Sequence, residues 1–177
     1  AQMKVTNDWL DMEGKAVVPA AELASKIRAI KDNAADDDLI VIARTDSVAI
    51  EGFDAALDRM HLYMEAGANV AFIEAPTTVE QIERISTEFS QPKLLNMFWS
   101  GKTPVLQRAK LEELGINLVI APGDLQRAAM HAMRQAADAI LRDGHTESLS
   151  DVMATFDDRE VAINSAKYMA LDEKYAV

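Results

Sequence analysis

From residue 39 onward the chain alternates short apolar runs with longer stretches whose apolar residues fall three and four positions apart. The runs are Leu39–Ala43, Asn69–Ile73, Lys93–Met97 and Asn117–Ala121. They are apolar throughout instead of alternating with polar residues, the pattern of strands covered on both faces in a parallel sheet. Between them lie helical spacings. Phe53, Leu57, Met60 and Met64 mark one face of a helix over about 53–66, closed by Gly67. Thr78, with Gln81 three residues on, predicts a capping box opening a helix that runs through Phe89. A third helix runs through about Leu114 and stops at Gly115, and an Ala-rich helix over roughly 124–142 stops near Gly144. Upstream, Pro19 stands where a helix would start, and Leu23, Ile27 and Ile30 share a face of the segment from Ala20 to Asn33. Residues 1–19 read as a loop. From Ser148 the chain reads as short helical pieces anchored by Val152, Met153, Phe156, Val161, Ile163, Tyr168, Met169 and Leu171.

Four βα units with short connections predict a parallel sheet with right-handed crossovers. A four-stranded doubly wound sheet and half of an eight-stranded barrel both fit. The strand ends favour the barrel, because each carries a distinctive group: Arg44 and Asp46, then Glu74, then Asn96, then Pro122. In a barrel all of these converge on one mouth, whereas a doubly wound sheet concentrates its site at one switch point. The expected class is therefore α/β, with parallel units forming one domain or barrel half. Within it, residues 1–19 are a loop, 20–145 the βα units and 146–177 a helical tail.

Composition narrows the function. A 177-residue chain with 49% hydrophobic and 27% charged residues has the balance of a soluble globular domain. A net charge of -11 argues against nucleic acid as a partner, while a few local cations would still suffice for a small anion. With no Cys, the chain has no disulfide, thiolate metal site or cysteine nucleophile, and a reducing cytoplasm is the simplest location. No apolar run approaches the roughly 20 residues of a membrane span. The first residues, Ala1-Gln2-Met3-Lys4, lack a signal-peptide pattern.

The chemistry gathers at the strand ends. Arg44 offers a planar fork for a carboxylate or phosphate, or else an ion pair with Asp46 or Glu74. Glu74 follows an apolar strand, a setting suited to acid–base work or ligand orientation, and equally to a helix-cap role. Asn96 is a neutral donor for a substrate oxygen or a developing oxyanion, or a satisfied turn residue. Lys102 lies in a Gly-Lys-Thr-Pro turn that lacks phosphate-loop spacing, and it receives no role. His61, His131 and His145 have no paired ligand at metal spacing, and Asp36-Asp37-Asp38 reads as a solvated turn. Met60, Met64, Met130 and Met133 read as core.

Taken together, Gly14-Lys15-Ala16-Val17-Val18-Pro19, Ile42-Ala43-Arg44-Thr45-Asp46, Glu65-Ala66-Gly67-Ala68, Phe72-Ile73-Glu74-Ala75-Pro76, Asn96-Met97, Gly101-Lys102-Thr103-Pro104 and Leu114-Gly115 resemble the isocitrate lyase / phosphoenolpyruvate mutase superfamily. The tail pieces Met153-Ala154-Thr155-Phe156 and Tyr168 to Tyr175 match as well. The branch most resembled holds methylisocitrate-lyase-like and carboxyphosphonoenolpyruvate-mutase-like proteins. The resemblance implies strands 5–8 of a (β/α)8 barrel with extra C-terminal helices. It further implies Mg2+-dependent cleavage of a small 2-oxo or 2-hydroxy di- or tricarboxylate through an enolate-like intermediate. By position Arg44 matches the substrate-carboxylate Arg, Glu74 the carboxylate of the next strand end, and Asn96 the substrate-binding Asn. The family's Mg-holding acidic residues match no position of this chain, so no residue here is assigned to metal. The resemblance also implies a homotetramer that swaps C-terminal helices. One departure stands out: the lyases' catalytic-loop Cys falls on Trp9, which cannot deliver a proton as a thiol does. That leaves room for phosphonopyruvate- or oxaloacetate-type mutase, hydrolase or decarboxylase chemistry, or for a non-catalytic half-barrel that binds or assembles.

Overall fold

The computed structural model describes residues 16–36 and 38–176. The loop expected over 1–19, including Trp9 and Gly14-Lys15, lies almost wholly outside the described residues. By internal contacts the chain forms two compact units, Ala1–Asp124 and Leu125–Val177.

The first unit carries helix α1 (Ala20–Asn33), strand β1 (Ile42–Thr45), helices α2 (Val48–Glu51) and α3 (Phe53–Glu65) and strand β2 (Val70–Ile73). It continues with helix α4 (Val79–Glu88), strand β3 (Leu94–Asn96), helix α5 (Arg108–Glu113) and strand β4 (Leu118–Ile120). β1 pairs in parallel with β2, with Arg44 opposite Phe72. β3 pairs in parallel with β4, with Asn96 opposite Ile120. A parallel bridge between Ala71 and Lys93 joins the two pairs. The spatial order is therefore sequential, without the reversal that defines a doubly wound sheet. Ala43, Ala71 and Ile73 pack against Ala24 and Ile27 of α1, Leu57, Met60 and Tyr63 of α3, and Ile85 of α4. Leu95 packs with Ile82 and Leu111 in a smaller cluster. Helices thus cover one face of the strands, and Arg44, Phe72 and Asn96, one position out of phase with these core residues, belong to the other.

The first strand differs from its expected bounds. It spans 42–45, so Arg44 and Thr45 are inside it, while Leu39 and Ile40 lie outside and Ile40 is 65% exposed. The cause is local hydrogen bonding. The Asn69 side-chain carbonyl accepts the Val41 N–H at 2.9 Å, and the Val41 carbonyl accepts from Asn69 N at 2.8 Å and Val70 N at 3.2 Å. Regular pairing can begin only after that bracket. Asn117 does the same to Lys93, accepting its N–H at 3.0 Å and donating to its carbonyl at 3.1 Å. Full burial on both faces holds for β2 alone; Ile42 of β1 and all of β4 are exposed.

Helix ends follow the sequence more closely. Gly67, at φ 102°, takes the left-handed position after α3, letting Ala68 N reach the Tyr63 carbonyl at 3.1 Å. Thr78 caps α4 by accepting from Gln81 N at 3.2 Å. The Gln81 side chain does not return to Thr78 as a capping box requires; it accepts the Thr77 N–H at 2.7 Å, one residue earlier.

The second unit holds α6 (Asp124–Asp143, whose first residue belongs to the first unit), a 3-10 turn at Glu147–Leu149, α7 (Phe156–Ala162) and α8 (Ser165–Tyr175). Thr155 and Asp158 form a reciprocal capping box at α7. Most of the expected apolar anchors of this tail are exposed, Phe156 at 83%. Met130 and Met133 are also exposed, contrary to the core reading, because the apolar stripe of α6 is not closed over at these positions. Met60 is fully buried and Met64 packs at the edge of the core, as expected.

Candidate active site at the strand ends

β1, β2 and β3 deliver one side chain each to a continuous polar chain. Arg44 donates from Nε to one Asp46 oxygen at 3.0 Å and from Nη2 to the other at 2.8 Å. The same Nη2 lies 3.3 Å from Glu74 Oε2. Asn96 Nδ2 donates to Glu74 Oε1 at 3.0 Å. The register explains the convergence. Glu74 N donates to the Thr45 carbonyl at 2.9 Å, which sets Glu74 level with Asp46 one step beyond the paired strands. Asp46 is 3% exposed at its side chain and Arg44 21%, so the pair sits under partial cover with one side open. The Arg44 guanidinium also lies over the Phe72 ring, 5.0 Å from its centroid, where the π-face favours the cation.

Asp46 is therefore the partner that fixes Arg44, with Thr45 and Ser47 buried on either side and their hydroxyls hydrogen bonded to each other at 2.8 Å. The ion-pair reading of Arg44 holds: Asp46 and Glu74 keep the fork in place. The Asn96 side-chain oxygen is buried and accepts no hydrogen bond among the described residues. A buried amide carbonyl in that state costs free energy unless a donor reaches it, which suits a protonated ligand group at this position.

Beside this chain lies a cavity of about 230 Å³ lined by Glu74, Ala75, Phe98, Ser100, Gly101, Lys102 and Thr103. Glu74 is the member of the polar chain that reaches it; Arg44 and Asn96 stand behind Glu74 and do not line it. Two lining residues hold the left-handed conformation, Ala75 at φ 58° and Ser100 at φ 65°, which costs a non-glycine residue of order 1 kcal/mol or more. The turn is further fixed at Gly101, where a Cβ would stand 3.0 Å from the Phe98 ring. Sequence reasoning missed Lys102, Ser100 and Thr103 as lining residues. The Gly-Lys-Thr-Pro turn was the signal available for them.

A second ion pair joins α3 to α2. Arg59 of α3 binds Glu51 of α2 with both faces of its fork, at 2.5 and 2.6 Å, and donates to the Val18 carbonyl at 2.8 Å. The hydrogen bonds from Arg59 hold the Glu51 carboxyl below its ordinary range, and Glu51 in turn raises the Arg59 guanidinium. This ties the segment entering α1 to the short helix that follows the Arg44 strand.

Among the described residues, no three carboxylate or imidazole groups cluster closely enough to hold a metal ion. Both Asp46 oxygens accept from Arg44, and the Glu74 oxygens face Asn96 and Arg44. These groups by themselves do not fit a Mg2+ site, which needs carboxylates available to the ion. No described helix is long and apolar enough to cross a membrane.

Residues 5–141 match the family model of phosphoenolpyruvate phosphomutase. The chain is 35% identical to 2,3-dimethylmalate lyase of Eubacterium barkeri, over 93% of this chain and 57% of that protein. It is 38% identical to 2-methylisocitrate lyase of Bacillus subtilis, over 93% of this chain and 54% of the relative. The crystal structure of 2,3-dimethylmalate lyase, a member of the PEP mutase/isocitrate lyase superfamily, superposes with a TM-score of 0.78 at 29% identity, covering 93% of this chain and 55% of that one. The chain thus spans about half the length of the curated relatives it matches. With sequential parallel strands, a polar chain across three strand ends and a family match over most of its length, the chain belongs to the phosphoenolpyruvate phosphomutase family of the PEP mutase/isocitrate lyase superfamily.

Proposed function

We propose that the protein is a lyase that breaks a C–C bond in a small 2-oxo or 2-hydroxy di- or tricarboxylate, bound at the C-terminal ends of β1–β3. The observation that carries this reading is the Arg44–Glu74–Asn96 chain, drawn from three consecutive strand ends beside a cavity that Glu74 lines. Arg44, anchored by Asp46, receives a substrate carboxylate. Glu74, flanked by a cation and an amide donor, orients the substrate and exchanges a proton with it. Asn96 holds Glu74 through its amide N–H, and its buried side-chain oxygen accepts from a protonated group of the substrate. The names of the two lyase relatives support a lyase in preference to the mutase, hydrolase or decarboxylase alternatives. Trp9, at the position of the lyases' loop Cys, is the feature that favours those alternatives.

The Mg2+ implied by the resemblance is held, in this reading, by groups other than the described residues. The exposed apolar residues of α7 and α8, Phe156, Val161, Tyr168 and Met169 among them, support a homo-oligomer in which these helices pack on a neighbouring copy. A cytoplasmic location accords with the absence of Cys. The test is thermal unfolding of the whole protein with oxalate, a mimic of a two-carbon enolate, with and without Mg2+. Ligand at 100 times its Kd stabilises by about 2.7 kcal/mol, so a rise in Tm that requires both components is expected. No rise with either would favour the non-catalytic half-barrel and overturn the lyase.

A further inference from the structure

We propose that Lys102 is a specificity-determining residue that binds the second, distal carboxylate of the substrate; this rests on the small-carboxylate reading above. A di- or tricarboxylate brings at least two negative charges, and the polar chain at the strand ends offers one cation, Arg44. That guanidinium is already clamped by both oxygens of Asp46 and faces Glu74. It also stands behind Glu74, outside the cavity lining. The cation that does line the cavity is Lys102, on the wall contributed by the turn after β3.

Its placement sets it apart: Arg134 and Lys167 also bind no carboxylate among the described residues, but neither lines the cavity. The chain has 29 acidic residues against 18 Lys and Arg, so a basic side chain has carboxylates to spare. Lys26, Arg59, Arg84, Arg108 and Lys110 all bind one. Among the described residues Lys102 has neither an ion pair nor a hydrogen bond, although Glu74 shares its cavity. The turn that presents it has a defined shape: Ser100 is left-handed, Gly101 N donates to the Phe98 carbonyl at 3.1 Å, and Thr103 is buried. A flexible ammonium on a fixed base, across a cavity from Glu74, suits a carboxylate whose distance from the reacting carbon varies by a bond or two. A preformed turn spares part of the ordering cost of binding.

L-malate and L-lactate separate the idea cleanly, since both are 2-hydroxy acids and malate alone carries a distal carboxylate. Binding of each to the whole protein is measured by titration calorimetry at low and at physiological salt, for the wild type and for Lys102→Met and Lys102→Arg. The wild type is expected to prefer malate by roughly tenfold, equivalent to ~1.4 kcal/mol, the size of one charge-assisted contact. Lys102→Met should erase that preference while leaving lactate affinity unchanged, and Lys102→Arg should restore it. Lys102 is exposed, so both variants should unfold at the wild-type temperature, which a melting curve verifies. A malate preference that survives in Lys102→Met overturns the role of Lys102 and leaves the carboxylate site standing. A wild type that binds neither acid overturns the site reading and this inference with it.

Discussion

Replacing Arg44 by Met should destabilise the fold, and a partner change at Asp46 should recover part of the loss. The Asp46 carboxylate is nearly inaccessible and receives two hydrogen bonds from Arg44, at 3.0 and 2.8 Å. Removing the arginine leaves Asp46 and Glu74 as neighbouring anions without their counter-charge. Breaking a buried pair in this way costs 3–5 kcal/mol, and the 21% exposure of Arg44 lowers the expectation to about 3 kcal/mol. Asp46→Asn alone keeps the shape and loses the charge, at a cost of roughly 2 kcal/mol. In the double variant the uncompensated Asp46 charge is gone, so the two costs should fall short of additivity by about 2 kcal/mol. Urea unfolding of the four proteins at pH 7 reads this coupling directly, provided the slope with denaturant stays constant. Additivity within about 0.5 kcal/mol would refute the claim that Asp46 positions Arg44.

The second ion pair makes its own predictions. Glu51→Gln leaves the largely buried Arg59 guanidinium without its carboxylate and should cost about 2 kcal/mol, seen as a lower urea midpoint. Because Arg59 depresses Glu51, the pair stabilises the fold fully above the ordinary glutamate range and loses that contribution as pH falls through the lowered value. The Glu51→Gln variant should therefore show a smaller loss of stability than the wild type over that acidic interval, measured by unfolding at stepped pH.

The sequence made the order of elements readable because the four apolar runs and the glycine stops at Gly67, Gly115 and Gly144 are local signals. What it could not convey is phase. The start of β1 at Ile42 instead of Leu39 arises from the Asn69 side chain closing on Val41, a contact 28 positions apart. That offset places Arg44 within the paired strand and Asp46 beside Glu74. Arg44, Glu74 and Asn96 were each legible as polar groups ending apolar strands, and their convergence followed from the barrel reading. The ion pair of Arg44 with Asp46 was one of the alternatives the sequence offered, whereas the cavity wall at Lys102 was not legible, since it depends on where a turn aims its side chains. The helical tail shows the opposite failure: its apolar residues look like core by composition, yet within the chain they remain exposed, as residues that pack on another surface would.

In the function proposed above, Arg44 receives the substrate carboxylate of a small 2-oxo or 2-hydroxy diacid. Its most direct test is steady-state turnover of such diacids, methylisocitrate and dimethylmalate included, by the whole protein with Mg2+, compared with Arg44→Ala at equal folded concentration. Loss of a bidentate carboxylate contact used in the transition state should lower kcat/KM by about 100-fold or more, equivalent to ~2.7 kcal/mol. Turnover that Arg44→Ala leaves unaffected would contradict the account.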